Sequence, residues 1–214
     1  LGEQGMAVLR TVLRAIPSHI PVIGDAKRGD VPHTSRAYAR ALFDELGFDA
    51  VTVNPYLGGD AVAPFVERKD RGVLIVCRTS NAGARDVQDL PVSTDGGVRP
   101  LYQAVAKLAQ RWNAAGNVGL VVGATYPEEM RELRELCPEM PFLVLGVGAQ
   151  GADLAPALEA GLDKQGGGMI ISVSRSVLYA SSGDDFADAA RREAEALRAA
   201  IERQRPAARA ETRA

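Results

Sequence analysis

The chain has 214 residues, of which 46% are hydrophobic and 24% are charged, with a formal net charge of -2. This composition is typical of a globular protein and fits one large domain better than two small ones. The charge provides no basic surface for nucleic acid, and the apolar runs are far shorter than the roughly 20 residues of a membrane-spanning helix. We therefore expect a soluble, cytoplasmic protein that binds neither nucleic acid nor membrane.

Six apolar, β-branched runs predict buried parallel strands. They are Pro21–Gly24, Ala50–Val53, Val73–Cys77, Val118–Val122, Phe142–Leu145 and Met169–Val173. Helical spacing of apolar residues predicts one helix with Leu9, Val12, Leu13 and Ile16 on one face, a second from Leu101 to Trp112 and a third from Phe186 to Ile201. The alternation of strand and helix predicts a parallel α/β sheet, either open and doubly wound or closed into a (β/α)8 barrel.

Polar or glycine-rich residues follow nearly every predicted strand, as in DAKRGD, NPYLGGD and RTSNAG. A doubly wound sheet takes its site from the few strands at a switch point, whereas a barrel collects it from almost all of them. The sequence therefore favours an α/β fold of the (β/α)8 TIM-barrel type, with the first two strands missing or unrecognised. We expect an N-terminally incomplete barrel domain over residues 1–204 and a disordered tail over 205–214.

The segment IGDAKRGDVPHT places two carboxylates and a lysine at the end of a predicted strand. Strand alternation predicts that Asp25 and Lys27 share one face and that Asp30 lies in the following loop. One interpretation is a solvated strand end with a salt bridge. The other is a reactive array, in which the carboxylates favour a protonated lysine and repel a substrate anion. In that case the lysine supplies a proton to the carbanion that remains when the anionic group is lost.

A glycine-rich segment, LGVGAQGAD, follows the predicted strand Phe142–Leu145 and precedes a helix that we expect to begin near Ala152. Exposed amides at a helix N-terminus bind phosphate, although glycine also serves simple tight turns. Arg175, after the next strand, could form charge-assisted bonds to the same phosphate. Barrels commonly build a phosphate site from the loops after strands seven and eight. This assignment makes PVIGDAK the third strand and places two βα units upstream of Leu1.

The cysteine and histidine content argues against a metal site or a disulfide. Cys77 lies in an apolar run and Cys137 precedes Pro138, and neither has a CxxC motif or a Cys/His cluster nearby. This pattern favours buried thiols in a reducing compartment. With His19 and His33 as the two histidines of the chain, a multi-histidine metal site is not expected either.

The motifs DAKRGDVPHT, VTVNPYLGGD, VCRTSNAGA, LGVGAQGAD and SRSV occur in this order, up to about Tyr179. With them the chain resembles the orotidine 5'-phosphate decarboxylase family, in particular its longer bacterial (type 2) branch. The charged element DAKRGD also occurs in the related sugar-phosphate decarboxylases and synthases, so it indicates only the superfamily. The motifs NPYLGGD and RTSNAG narrow the resemblance to the decarboxylase family. It implies a homodimer that converts orotidine 5'-monophosphate (OMP) to uridine 5'-monophosphate (UMP) and carbon dioxide in de novo pyrimidine biosynthesis, with no cofactor and no metal.

For the reacting centre, the resemblance implies that Asp25 lies near the substrate carboxylate and that Lys27 donates a proton to C6 after carbon dioxide leaves. It also implies that Asp30 and Thr34 cross the dimer interface into the partner's site. There Asp30 would join the charged array and Thr34 would contact the ribose.

For the remainder of the substrate, the resemblance implies that Ser80 reads the pyrimidine edge. Gln150 and Arg175 would contact the phosphate, and Gly148 and Gly151 would let the backbone approach it.

Family members carry a further aspartate after their first strand and a further lysine after their second, and neither has a counterpart in this chain. We therefore interpret the sequence as N-terminally incomplete, and we expect an open barrel of these residues alone to associate through its exposed strand edges. Two alternatives stay open. One is a metal-dependent sugar-phosphate decarboxylase or aldolase of the same superfamily, and the other is a catalytically silent phosphate-binding protein.

Overall fold

Strands and helices alternate along the chain in the computed structural model, which describes residues 2–147 and 153–205. The strands are β1 (Ile23–Arg28), β2 (Ala50–Val53), β3 (Gly72–Arg78), β4 (Pro91–Thr94), β5 (Gly97–Pro100), β6 (Val118–Gly123), β7 (Phe142–Leu145) and β8 (Met169–Ile171). The helices are α1 (Gly2–Ala15), α2 (Pro32–Arg40), α3 (Gly59–Val66), α4 (Leu101–Trp112), α5 (Pro127–Leu136), α6 (Leu154–Gly161), α7 (Arg175–Leu178) and α8 (Phe186–Gln204). A strand is present at each of the six predicted apolar runs, although the first is shifted toward the C-terminus.

The described residues fall into two compact units. The first contains the residues up to Val76 together with Trp112–Val118, and the second contains Cys77–Arg111 and the residues from Gly119 onward. The expectation of one barrel domain over 1–204 stays a prediction. Of the expected tail, 206–214 lie outside the described residues, whereas Arg205 donates from Nε to the Gly166 carbonyl at 2.7 Å.

In the first unit, β2 pairs in parallel with β1 on one side and with β3 on the other. The β2–β3 ladder is regular from Ala50 opposite Gly72 to Val53 opposite Ile75. Phe43, in the π-helical turn after α2, and Phe65, in α3, are buried, and their rings meet edge to face with centroids 6.5 Å apart. The buried β2 is thus paired on both sides, with a regular ladder to β3 and an interrupted ladder to β1.

In the second unit, β7 pairs in parallel with both β6 and β8. The antiparallel hairpin β4–β5 precedes α4 and was not predicted. Thr94 pairs with Gly97, so the turn consists of Asp95 and Gly96, a dipeptide that favours two-residue hairpin turns. The turn signal was therefore present in the sequence, but the flanking strands are too short and too polar to stand out.

Helix α1 matches the predicted helical spacing, but its apolar face is not fully covered. Leu9, Leu13 and Ile16 are half-buried, while Val12 is 52% exposed. Among the described residues, no helix is both long enough and apolar enough to cross a membrane.

Both cysteines are buried and free, as predicted. Burial raises the pKa of Cys137 to about 11, and burial likewise raises the pKa of Cys77 far above its ordinary value. Both side chains therefore stay neutral thiols near pH 7, and each lies against a backbone carbonyl of α4. They contribute to packing rather than to chemistry.

The buried Arg134 forms hydrogen bonds with the segments that precede both β7 and β8. Its side chain projects from α5, and burial lowers the pKa of its guanidinium while nearby Asp163 raises it. The guanidinium stacks on the Phe142 ring at 3.8 Å. It donates hydrogen bonds to the carbonyls of Cys137, Pro138, Met140, Gly161 and Gly168. One cation thus satisfies carbonyls from several separate turns.

We expect Arg134→Met to lower the free energy of unfolding by about 3–5 kcal/mol, because several buried carbonyls lose a charged donor at once. Urea unfolding followed by circular dichroism measures this change. The matched control is Arg131→Met on the same helix, where the arginine pairs with Glu128 at an exposed position, and this variant should unfold almost as wild type does. Equal destabilisation by the two substitutions would contradict the role assigned to Arg134.

Candidate active site

Asp25, Lys27 and Thr52 form a closed set of hydrogen bonds at the carboxyl end of β1. Lys27 Nζ lies 2.5 Å from Asp25 Oδ1. The Thr52 hydroxyl, on β2, donates to the same carboxylate oxygen at 2.9 Å and accepts the Lys27 backbone amide at 2.9 Å. Thr52 is fully buried, whereas about half of the Asp25 side chain is exposed. A buried hydroxyl therefore holds both members of a solvent-facing ion pair.

The backbone at Lys27 is irregular, and this corrects the sequence-based picture of simple strand alternation. Lys27 has φ of 46°, in the left-handed region that side chains other than glycine rarely occupy. The ladder with β2 also shifts, because Gly24 lies opposite Val51 while Arg28 lies opposite Val53. The predicted strand Pro21–Gly24 is thus displaced to Ile23–Arg28. The two side chains do meet as predicted, but through a bulge rather than through a regular pleat.

Asp30 lies in the loop between β1 and α2, as predicted, and its polar groups are engaged locally. Its carboxylate accepts the Val31 amide at 2.7 Å. Its backbone amide and carbonyl both contact the hydroxyl of the buried Ser35, at 3.1 and 2.9 Å. Thr34 is half-buried on the first turn of α2. Within the described residues the ion pair of Lys27 is with Asp25, and Asp30 makes none with it.

A close approach of backbones fixes the loop between Lys27 and Asp30. The Asn54 amide donates to the Arg28 carbonyl at 2.7 Å. A Cβ atom at Gly29 would lie 2.3 Å from the Asn54 carbonyl oxygen, so only glycine fits there. Gly29 of the RGD segment and Asn54 of the NPYLGG segment are therefore in direct contact, where the adjacent strands β1 and β2 end.

Ser80 follows β3 in the second unit and lies against the end of β6. A Cβ atom at Gly123 would lie 2.7 Å from the Ser80 amide nitrogen. The Thr125 hydroxyl donates to the Ser80 carbonyl at 3.3 Å. Among the described residues the Ser80 hydroxyl makes no hydrogen bond, and the residue is half-buried. The backbone of Ser80 is thus held while its side chain stays available.

The proposed phosphate contacts are described only in part. Arg175 is the first residue of α7 and is exposed. Gly148, Gln150 and Gly151 lie outside the described residues, and so does Ala152, where we expected a helix to begin; α6 is described from Leu154.

The structure thus brings Asp25 and Lys27 together, places Asp30 and Thr34 in the same unit, and places Ser80 and Arg175 in the other unit. Over residues 2–147 and 153–205, no three His, Cys, Asp or Glu side chains form a group that could hold a metal ion. The expectation of a metal-free, cofactor-free site stays a prediction.

Comparison with known proteins gives one consistent result. The model of the orotidine 5'-phosphate decarboxylase / HUMPS family matches residues 3–192. The chain belongs to this family. It is 52% identical over 203 residues to an orotidine 5'-phosphate decarboxylase of Thermomicrobium roseum, an alignment that covers 94% of this chain and 72% of that protein.

Solved structures agree with the family assignment. An OMP decarboxylase of Leishmania donovani superposes with a TM-score of 0.82 at 43% identity, over 94% of this chain and 76% of that one. UMP synthase of the same organism gives a TM-score of 0.86 at 45% identity, over 95% of this chain and 44% of that one. The chain shares the α/β TIM-barrel fold class of the orotidine 5'-phosphate decarboxylases, as the polar residues after its predicted strands indicated.

Thr52 is a site residue that sequence reasoning missed in this member of the decarboxylase family. It is a single hydroxyl within the apolar run AVTV, and β-branched threonine is common in strands. The sequence did contain one signal for it. A polar side chain in a strand predicted to be buried needs a hydrogen-bond partner, and for β2 that partner must come from β1 or β3.

We expect Thr52→Val to lower the free energy of unfolding by about 1–3 kcal/mol, because it leaves the Lys27 amide without its acceptor. Thr52→Ser keeps the hydroxyl and is the matched control, so it should lose distinctly less. Urea unfolding of the two variants measures the difference. If serine and valine destabilise equally, the methyl group and not the hydroxyl is what matters at this position.

Proposed function

We propose that the native gene product that contains this chain catalyses the decarboxylation of OMP to UMP and carbon dioxide, a step of de novo pyrimidine biosynthesis, as a carboxy-lyase without a cofactor. The observation that carries the proposal is the Asp25–Lys27 pair, held by Thr52 at a strand end of a protein that belongs to the orotidine 5'-phosphate decarboxylase family. We also propose that the protein is cytoplasmic.

In the proposed reaction the substrate carboxylate lies beside Asp25, and repulsion between the two anions favours the loss of carbon dioxide. The C6–carboxylate bond breaks and its electron pair stays on C6. The Lys27 ammonium stabilises this developing charge and then transfers a proton to C6, which leaves a neutral amine that solvent reprotonates. The 2.5 Å contact with Asp25 supports this role, since it holds the ammonium in place before the reaction begins.

The other substrate contacts are proposals from the same resemblance. Ser80 reads the pyrimidine edge, and its hydroxyl, which has no partner among the described residues, supports this role. Gln150 and Arg175 bind the phosphate, with Gly148 and Gly151 allowing close approach of the backbone.

We propose further that the enzyme is a homodimer in which Asp30 and Thr34 reach the partner's site. In support of this, the Asp30 carboxylate makes no ion pair with Lys27 within the described part of its own chain. In this arrangement the Asp30 carboxylate of a second copy joins the charged array of Asp25 and Lys27.

The native gene product should decarboxylate OMP after exhaustive EDTA treatment, measured by the loss of orotate absorbance. Lys27→Ala should reduce kcat by at least about 10²-fold because it removes the proton donor. Lys69→Ala, at an exposed lysine of the same unit, should leave kcat unchanged. If chelation abolishes turnover and magnesium restores it, the metal-dependent sugar-phosphate alternative gains the support. Binding of UMP without turnover would favour a silent phosphate-binding protein.

Mixing inactive Lys27→Ala and Asp30→Ala proteins should restore activity if each site takes the two residues from different chains. Random pairing of equal amounts makes half of the dimers mixed, and each mixed dimer has one intact site out of two. About a quarter of the wild-type activity should therefore return. Native mass spectrometry verifies that mixed dimers have formed. Mixed dimers without recovered activity would rule out the shared site.

A further inference from the structure

The side chain of Gln88 holds the residue that precedes Ser80 from two directions. Its Nε2 donates to the Thr79 hydroxyl at 2.8 Å, and its Oε1 accepts the Thr79 backbone amide at 2.8 Å. The same Oε1 accepts Arg78 Nη1 at 3.3 Å. One amide group thus fixes both the backbone and the side chain at the carboxyl end of β3.

Gln88 is itself anchored at both of its backbone groups. Its amide donates to the Ala84 carbonyl at 2.8 Å, after the 3₁₀ turn Ala82–Asp86. Its carbonyl accepts the Tyr102 amide at 3.0 Å, in the first turn of α4. The glutamine therefore connects the strand end to a helix rather than to a free loop.

Arg78 gives this arrangement a rigid base. Its side chain is fully buried and stacks on the Tyr126 ring at 4.2 Å. Nη2 lies 3.3 Å from Asp89 and 3.6 Å from Glu129, so two carboxylates compensate the buried charge. Full burial of the side chain and its packing on the Tyr126 ring leave Arg78 little freedom to move.

Ser80 is therefore held on both sides. Gln88 fixes the preceding residue, Thr125 donates to the Ser80 carbonyl, and the Ser80 backbone packs so closely against Gly123 that a side chain there would collide with it. The Ser80 hydroxyl keeps its hydrogen-bonding capacity for a ligand, since it has no partner among the described residues. This is the arrangement expected of a group that must present one side chain in one direction.

We infer that Gln88 is a positioning residue for recognition of the pyrimidine base, acting through Thr79 on Ser80. The inference rests on the proposed function, in which Ser80 reads the base. Gln88 does not touch the substrate in this scheme. It sets the direction of the Ser80 hydroxyl and so affects base recognition, without affecting the phosphate contacts.

The test distinguishes an effect on base recognition from an effect on phosphate binding. Gln88→Met has nearly the same shape and makes none of the three hydrogen bonds, so it should weaken binding of UMP roughly 10-fold and raise KM for OMP. Binding of ribose 5-phosphate, which lacks the base, should stay as in wild type. Gln88→Glu keeps both acceptor contacts and should recover part of the UMP affinity. Gln110→Met is the matched control, because Gln110 lies at the opposite end of α4 from Tyr102 and donates to the Leu136 carbonyl, and it should leave the binding of both ligands unaffected.

A double-mutant cycle with Ser80→Ala distinguishes positioning from general destabilisation. If Gln88 acts through Ser80, the double variant should bind UMP no more weakly than Ser80→Ala alone. Additive losses, or equal weakening of UMP and ribose 5-phosphate, would overturn the inference. If Gln88→Met lowers the melting temperature too far for titration, the cycle is run with Gln88→Glu, which loses only the bond to the Thr79 hydroxyl and should give a smaller loss with the same non-additivity.

Failure of the proposed function has a different signature. In that case Ser80→Ala would leave UMP binding unchanged and wild type would not turn over OMP. If Ser80→Ala weakens UMP binding and Gln88→Met does not, the proposed function stands and the role of Gln88 is wrong.

Discussion

A single buried hydroxyl determines the geometry of the candidate active site. Thr52 joins the end of β2 to the bulge of β1, and it contacts the backbone of the lysine and the carboxylate of the aspartate at once. The parallel pairing of the two strands provides the alignment, because it brings their carboxyl ends to the same edge of the sheet. The exposed ion pair would contribute little to stability by itself. Its geometry comes from the buried partner beneath it.

Two buried arginines serve opposite ends of the strands in the second unit. Arg134 lies near the residues that enter β7 and β8 and binds neutral carbonyls. Arg78 lies where β3 ends and is balanced by carboxylates and aromatic rings. In barrels the strand entrances serve stability and the strand exits carry function. The two side chains match this division. Arg134 lies at the strand entrances, where residues serve stability, and Arg78 lies next to Ser80, the serine proposed to read the base.

Much of the fold could be predicted from sequence because buried parallel strands have continuous apolar runs. β2 and β7 were predicted to the residue, and β1 was displaced because its polar half still pairs with β2. The hairpin β4–β5 escaped because its strands alternate weakly, although its Asp-Gly turn was visible. Short-range patterns thus identify the elements that form the core and miss those outside it.

The candidate site was predicted less completely than the fold. Motifs named Asp25 and Lys27, yet the left-handed backbone at Lys27 depends on Thr52, a residue 25 positions away in sequence. Gln88 had no sequence signal, because a glutamine in a polar loop looks like any solvated residue. Such contacts depend on tertiary structure and not on local propensity.

The glycine at position 29 limits how this site can evolve. At Gly24, an added Cβ would meet the Phe48 ring, and a smaller residue at position 48 could make room for it. At Gly29, the obstacle is the carbonyl oxygen of Asn54, which every amino acid carries. No second substitution at position 54 can therefore compensate for a side chain at position 29. Combinatorial mutagenesis of positions 24, 29, 48 and 54 should therefore return only glycine at position 29, whereas positions 24 and 48 can change together.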